Sequence, residues 1–256
     1  MSAGLTALVL AGTRAGGDPL ALYAGVSHKA LIDVAGRTML ERVVSALAAV
    51  PAIERIVIAI ERPEIVAALT PCGKPVVVMA AASGPSASVD AALQSESTPL
   101  LVTTADHALL SPQWVAEFLT QAPAAADAIV GLARREAIHA AVPDTQRTYL
   151  RFADGDFSGC NLFLLRTPTA RGVVRFWQQM EAERKRPLQL LRRLGFSYAL
   201  RYRLGLLSLE QALARLSTLS GARIGHVSLS DGRAAIDIDK PADLELVRRL
   251  LAREGR

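Results

Sequence analysis

The feature that most restricts how this chain can fold is the exchange, over its first half, of short unbroken apolar runs with segments of helical periodicity. Apolar runs at 5–11, 55–60, 76–79 and 100–104 read as strands. Between them, 38–49 carries Leu40, Val43, Val44 and Leu47 at helical spacing. Segment 63–69 has proline at its start, 86–93 follows Pro85, and 112–119 follows the fourth strand. Apolar runs without polar alternation are strands covered on both faces, and strand–helix alternation produces parallel crossovers. The expectation is an α/β protein on a doubly wound, mostly parallel sheet.

The second half is less regular. Segments 128–132 and 161–165 read as strands, separated by a polar stretch with Pro143, Asp144 and a turn at Gly155. A long helical region at 168–219 is interrupted near Pro187, Gly195 and Gly205. Segments 224–229 and 234–238 read as a hairpin around Asp231-Gly232, and 241–252 as a closing helix. With no repeat and no low-complexity linker, 1–256 reads as one domain carrying 168–219 as a helical insert.

Charge is concentrated in that insert. Between Arg171 and Arg215 stand ten Lys/Arg and three acids, so this segment is +7 while the whole chain is +5. A local basic face fits an anionic partner: a phosphorylated substrate, a membrane surface or nucleic acid. Its Trp177, Phe196, Tyr198 and Tyr202 fit a lipid-linked acceptor or peripheral membrane contact, with a homodimer contact or a plain helical cap as alternatives. No apolar run reaches the roughly 18 residues of a membrane span. The apolar start lacks a basic flank and a cleavage-like site, and reads as a buried strand rather than a signal peptide. The two cysteines, Cys72 and Cys160, are far apart, which argues against a disulfide framework and for a cytoplasmic setting. No Cys/His cluster has zinc spacing.

Four motifs carry chemistry. The first strand runs into a glycine loop, Leu8-Val9-Leu10-Ala11-Gly12-Thr13-Arg14-Ala15-Gly16-Gly17-Asp18. Glycines let backbone N–H groups approach an anion closely. Spacing excludes the dinucleotide fingerprint, because Arg14 stands two residues after Gly12, and the P-loop, because Asp18 follows Gly17. The second motif is Lys29-Ala30-Leu31 with Gly36 and Leu40 leading into a helix. The third is Asp106, just past the strand 100–104, where open α/β sheets place ligands. The fourth is Asp237-Ile238-Asp239-Lys240-Pro241-Ala242-Asp243-Leu244, where Asp243 fits a helix N-terminus.

Together these motifs resemble the MobA-like NTP transferase family, which includes molybdenum-cofactor guanylyltransferase, cytidylyltransferases and sugar-phosphate nucleotidylyltransferases. The resemblance covers about 5–165 and 224–250 and leaves 168–219 outside it. It implies a Rossmann-like, mixed sheet of the nucleotide-diphospho-sugar transferase type. It implies that Leu10, Ala11, Gly12, Thr13, Arg14, Gly16 and Gly17 bind the triphosphate, with Arg14 and Lys29 neutralising it. Relatives carry the lysine closer to the glycines; here 18–28 intervene, the place for a flap. Asp106 is implied as a Mg²⁺ ligand and Asp239 as the second, with Asp237 the alternate on the same strand face. Ser88, in Ser88-Val89-Asp90-Ala91-Ala92-Leu93, matches a residue beside base or ribose, an N-cap being the other reading. Asn161, in Gly159-Cys160-Asn161, matches a strand facing the acceptor.

The implied activity is Mg²⁺-dependent transfer of a nucleoside monophosphate from a triphosphate to a phosphorylated small-molecule or lipid-linked acceptor, with release of pyrophosphate and no nucleic-acid partner. Catalysis would rest on Arg14, Lys29 and Asp106. A glycosyltransferase using a nucleotide-sugar and a non-catalytic nucleotide-binding module are the rival readings. The first is disfavoured because Asp-x-Asp occurs at Asp237 rather than after the central strand.

Overall fold

The computed structural model describes residues 4–13, 16–183 and 195–254. Its first strand, β1 (Leu5–Leu10), has five of six side chains buried. Alternate residues feed two separate cores. Ala7 and Val9 pack on one face with Ile56, Ile58 and Leu101, and Leu8 packs on the other with Val57 and Val102. This period of two is why the strands lack polar residues: both faces are covered.

In chain order the elements are β1, α1 (Pro19–Tyr23), β2 (Asp33–Val34), β3 (Arg37–Thr38), α2 (Met39–Ala48), β4 (Ile53–Ala59), α3 (Pro63–Ala67), β5 (Val76–Met79), α4 (Pro85–Ser95) and β6 (Leu100–Thr104). Next come α5 (Pro112–Gln121), β7 (Ala128–Arg134), α6 (Arg135–Ala141), β8 (Leu150–Phe152), β9 (Gly155–Leu165), α7 (Arg171–Glu183) and α8 (Phe196–Arg203). The described chain closes with α9 (Leu209–Ser220), β10 (Ile224–Ser228) and α10 (Pro241–Glu254).

The main sheet runs β10-β7-β9-β6-β1-β4-β5, with β8 attached to β9. β1 is parallel to β4 and β6, β4 to β5, and β7 to β10, while β9 runs against β6, β7 and β8. The sheet is mixed and mostly parallel, as expected. From β1 the chain winds outward to β4 and β5, then returns to add β6 on the other side. The order therefore reverses beside β1, and the crevice past the carboxyl ends of β1 and β6 is where such a sheet opens a ligand site.

Local signals set the helices. Thr38 and Glu41 form a reciprocal capping box at the start of α2. That helix buries Leu40, Val43, Val44 and Leu47 against the sheet, and truncating fully buried Leu40 to alanine would cost about 3 kcal/mol. Asp18 caps α1 by accepting the N–H groups of Leu20 and Ala21.

One expectation is corrected. The hairpin read at 224–238 does not form: β10 adds to the sheet edge parallel to β7, and Gly232–Ala235 is a 3-10 turn. Asp231 accepts the Arg233 N–H and pairs with its guanidinium, and a Cβ on Gly232 would lie 2.3 Å from the Ala137 backbone. The chain is folded onto α6 there instead of returning along a strand. Within the stretch 18–28, α1 is seated in the core by Leu20, with Leu22 and Tyr23 outward.

Candidate active site

Three parallel strands end on the same edge of the sheet and deliver the site. β1 leads into Gly12 and Thr13, β4 into Glu61, and β6 into Asp106. Register fixes their relative heights, because Leu10 pairs with both Ala59 and Thr104. A cavity of about 590 Å³ opens there, lined by Gly12, Lys29, Ala82, Ser88, Asp106 and Asp239 among others. That volume suits a nucleotide-sized ligand.

The glycine loop has steric reasons for its composition. A Cβ on Gly12 would stand 2.9 Å from the Ala81 methyl, so only glycine lets the loop approach the segment before α4. Gly16 and Gly17 have φ of +102° and +87°, the left-handed side that other residues rarely adopt. Leu10, Ala11, Gly12, Thr13 and Gly17 all line the cavity. Arg14 lies outside the described residues.

Lys29 opens a 3-10 turn and points into the cavity. Its ammonium donates to Asp106 Oδ2 at 2.8 Å and to Asp239 Oδ1 at 3.3 Å. Burial disfavours the charge, but the Asp106 carboxylate and its hydrogen bond, seconded by Asp239, outweigh burial and raise the lysine above its ordinary value. Lys29 therefore stays a cation. Thr104 Oγ1 donates to the other oxygen of Asp106 at 2.5 Å and fixes the carboxylate's orientation. The Ile238 N–H donates to the Asp106 carbonyl at 3.1 Å, which ties the segment bearing Asp239 to the β6 loop.

Asp237 and Asp239 diverge. Residues 236–239 belong to no strand, so Asp237 and Asp239 do not share a strand face. Asp237 is taken by Arg147, whose guanidinium bonds both its carboxylate and its carbonyl, and by Asn161 Nδ2 at 2.9 Å. Asp239, which is 65% exposed, turns to Lys29. Asp243 accepts the N–H groups of Asp239 and Lys240, each at 3.2 Å, and secures the start of α10. Asn161 has φ of +47°, at an irregularity in the β7–β9 pairing, and that backbone aims its amide at Asp237.

Ser88 is buried and does not cap α4, whose N-cap is Gly84. Its hydroxyl accepts the Ala82 N–H at 2.9 Å and donates to the Gly84 carbonyl at 3.1 Å. It thereby shapes the cavity wall at 82–84.

Three residues of the site escaped the sequence. His28 is 3% exposed; its Nδ1 accepts the Ala30 N–H, so Nε2 carries the proton and faces Thr13 Oγ1 at 2.8 Å and Glu61 Oε1 at 3.2 Å. Glu61 also accepts the Thr13 N–H. Burial pushes its carboxyl up, but hydrogen bonds from its own N–H and from Thr13 prevail and lower it. The glycine loop and the Lys29 turn are thus joined through one histidine and one glutamate. Arg147 is the third. Glu61 alone had a readable signal, its position just past a parallel strand. His107, the residue after Asp106, is wholly buried against Trp114 and pushed down to about 4 by desolvation, so it is neutral.

Among the described residues no group of three or more His, Cys, Asp or Glu converges on one point. Two carboxylates do converge on a single cation, the Lys29 ammonium. Two carboxylates, completed by phosphate oxygens and water, are a donor set that Mg²⁺ accepts.

Residues 7–217 match the model of a family described as the MobA-like NTP transferase domain. The match runs through most of 168–219, which the sequence motifs had left outside, and stops before Asp237. A hypothetical transferase from Thermus thermophilus is 32% identical, with a TM-score of 0.82, and the alignment covers 94% of this chain and 100% of that one. A CMP:2-keto-3-deoxy-manno-octonic acid synthetase solved with CTP shares the fold at 17% identity and a TM-score of 0.60, over 98% and 100% of the two chains. The 2-C-methyl-D-erythritol 4-phosphate cytidylyltransferase from Thermus thermophilus shares it at 18% identity and 0.53, over 98% and 100%. No curated protein matches the chain in sequence.

Proposed function

We propose that this chain, which belongs to the MobA-like NTP transferase family, moves a nucleoside monophosphate from a triphosphate to a phosphorylated acceptor and releases pyrophosphate. The observation that carries the reading is the Lys29 ammonium held between Asp106 and Asp239 in the cavity beside the glycine loop. It joins the elements needed by in-line displacement at phosphorus: backbone N–H groups, a fixed cation and two acids.

The acceptor phosphate is ionised at neutral pH, so its oxygen attacks the α-phosphorus without a general base. The bond to the β-phosphate oxygen breaks, and the charge that collects on pyrophosphate is met by Lys29 and Arg14. Asp106 and Asp239 would hold Mg²⁺, which when bound neutralises phosphate charge and orients the reacting groups. The loop from Leu10 to Gly17 cradles the triphosphate. Ser88 keeps the wall at 82–84 in shape for base or ribose, and Asn161, beside Asp237, faces the acceptor.

The test is a screen of the four ribonucleoside triphosphates with Mg²⁺ against phosphorylated acceptors, reading pyrophosphate and the nucleotidylated product. One triphosphate–acceptor pair is expected to give both in equal amounts. Sugar transfer from a nucleotide-sugar, or nucleotide binding without pyrophosphate, would replace this reading.

A further inference from the structure

The described part of the helical stretch carries a surface that the transfer reaction does not use. α8 buries none of its side chains, and the chain stays exposed from Leu200 through Leu206. Phe196 is 74% exposed, Leu204 60% and Leu206 58%, with Leu200 and Leu150 both at 46%. These side chains form one patch. The Arg151 N–H donates to the Tyr202 hydroxyl at 3.3 Å, and the Ala153 N–H donates to the Leu207 carbonyl at 2.9 Å. β8 and the turn after α8 therefore lie side by side. Scattered exposed leucines are ordinary, but a contiguous set marks an interaction surface.

Charge selects the partner. Arg151, Arg201 and Arg203 are exposed within the patch. The acids beside them are Asp154, which accepts the Leu209 N–H, Asp156, which lies opposite Arg151 on β9 and is paired with Arg135, and Glu210 in the first turn of α9. Five of the ten Lys/Arg that make segment 171–215 basic stand at 184–194, outside the described residues, so the positive charge described at the patch is that of Arg151, Arg201 and Arg203. A second copy of the chain would set this basic surface against itself. Leucine and phenylalanine interleaved with arginine are what an anionic bilayer interface takes: apolar side chains enter the acyl boundary while guanidinium groups stay at the phosphates.

We propose that this patch seats the protein on an anionic lipid surface, with Leu200, Leu204 and Leu206 entering the acyl boundary and Arg151 and Arg203 pairing with lipid phosphates. The proposal is independent of the transfer reading, because neither the patch nor its test involves the nucleotide cavity.

The test is sedimentation of the full chain with vesicles of equal parts phosphatidylglycerol and phosphatidylcholine, and with phosphatidylcholine alone. At low salt the protein is expected to sediment with the anionic vesicles only, and to be released at about 1 M salt, where the Debye length is about 3 Å. Arg151→Gln with Arg203→Gln is expected to weaken partition about thirtyfold. Leu204→Ser with Leu206→Ser is expected to weaken it at least about tenfold without lowering Tm, because both side chains are exposed. Absence of binding at low salt, equal binding to neutral vesicles, or undiminished binding by either double variant would overturn the proposal. So would a solution dimer that Leu204→Ser with Leu206→Ser converts to monomer, since the patch would then serve self-association.

Discussion

Lys29 and Asp239 meet as an ion pair at 3.3 Å although 210 residues separate them, and Asp106 shares the same ammonium at 2.8 Å. Without that cation the two carboxylates would face each other unscreened. Lys29→Met is expected to lower turnover about hundredfold, the scale of losing one charge-stabilising donor. The Mg²⁺ concentration for half-maximal rate is expected to stay level or fall, because a competing cation has gone. Pyrophosphate release followed across a Mg²⁺ titration checks both, and unchanged turnover would remove Lys29 from the chemistry.

The two acids at 237 and 239 are expected to separate in function. Asp239→Asn should raise the Mg²⁺ requirement about tenfold or more, because the carboxylate turned to Lys29 is lost. Asp237→Asn should leave that requirement unchanged, because its carboxylate is held by Arg147 and Asn161. Arg147→Ala should instead destabilise the fold by about 3 kcal/mol, since it strands a half-buried carboxylate. Parallel Mg²⁺ titrations and urea unfolding of the three variants distinguish these outcomes.

His28 touches both the glycine loop and the turn that carries Lys29. His28→Ala is expected to raise KM for the triphosphate about tenfold, because the loop amides are no longer held for phosphate. Tm should drop by only a few degrees. Steady-state kinetics at saturating acceptor reads the KM change, and an unaltered KM would mean that the loop needs no such support.

Asp127 is a stability hub away from the cavity. Its carboxylate accepts the Arg223 N–H at 2.8 Å and the Thr167 hydroxyl at 2.7 Å, joining the starts of β7 and β10 to the end of β9. The Arg223 N–H, then the Thr167 hydroxyl, hold its carboxyl below the ordinary aspartate range. A depressed carboxyl stabilises the native state above its unfolded pKa, about 3.9, and that stability is lost as pH falls toward the folded value. Asp127→Ala should cost about 2 kcal/mol at neutral pH. The variant should also lose less stability than the wild type between pH 5 and the acid limit, as urea unfolding at stepped pH would read.

The sheet was legible where strands are covered on both faces, as at Leu5–Leu10 and Leu100–Thr104, because nothing polar interrupts them. The strand at β10 is legible but its pairing is not, because its partner β7 lies far back in the chain, whereas Asp231-Gly232 offers a local turn that the packing of Gly232 on Ala137 overrides. α6 and three-residue β8 lay in a polar stretch too short for periodicity to register. In the site, Lys29, Asp106 and Asp239 were readable because each sits in a motif. Their supports were not: His28, Glu61 and Arg147 act through partners that only the fold brings near, at separations of 33 residues for His28–Glu61 and 90 for Arg147–Asp237.

The acids meeting at Lys29 are proposed as the metal-assisted heart of a nucleotidyl-transfer site. Pyrophosphate release by the wild type and Asp106→Asn, with the preferred triphosphate and acceptor, across a Mg²⁺ titration reads that role. The wild type is expected to release pyrophosphate only with Mg²⁺, and Asp106→Asn to lose about hundredfold to thousandfold, deepest at limiting Mg²⁺. Near-full turnover by Asp106→Asn at limiting Mg²⁺ would contradict it.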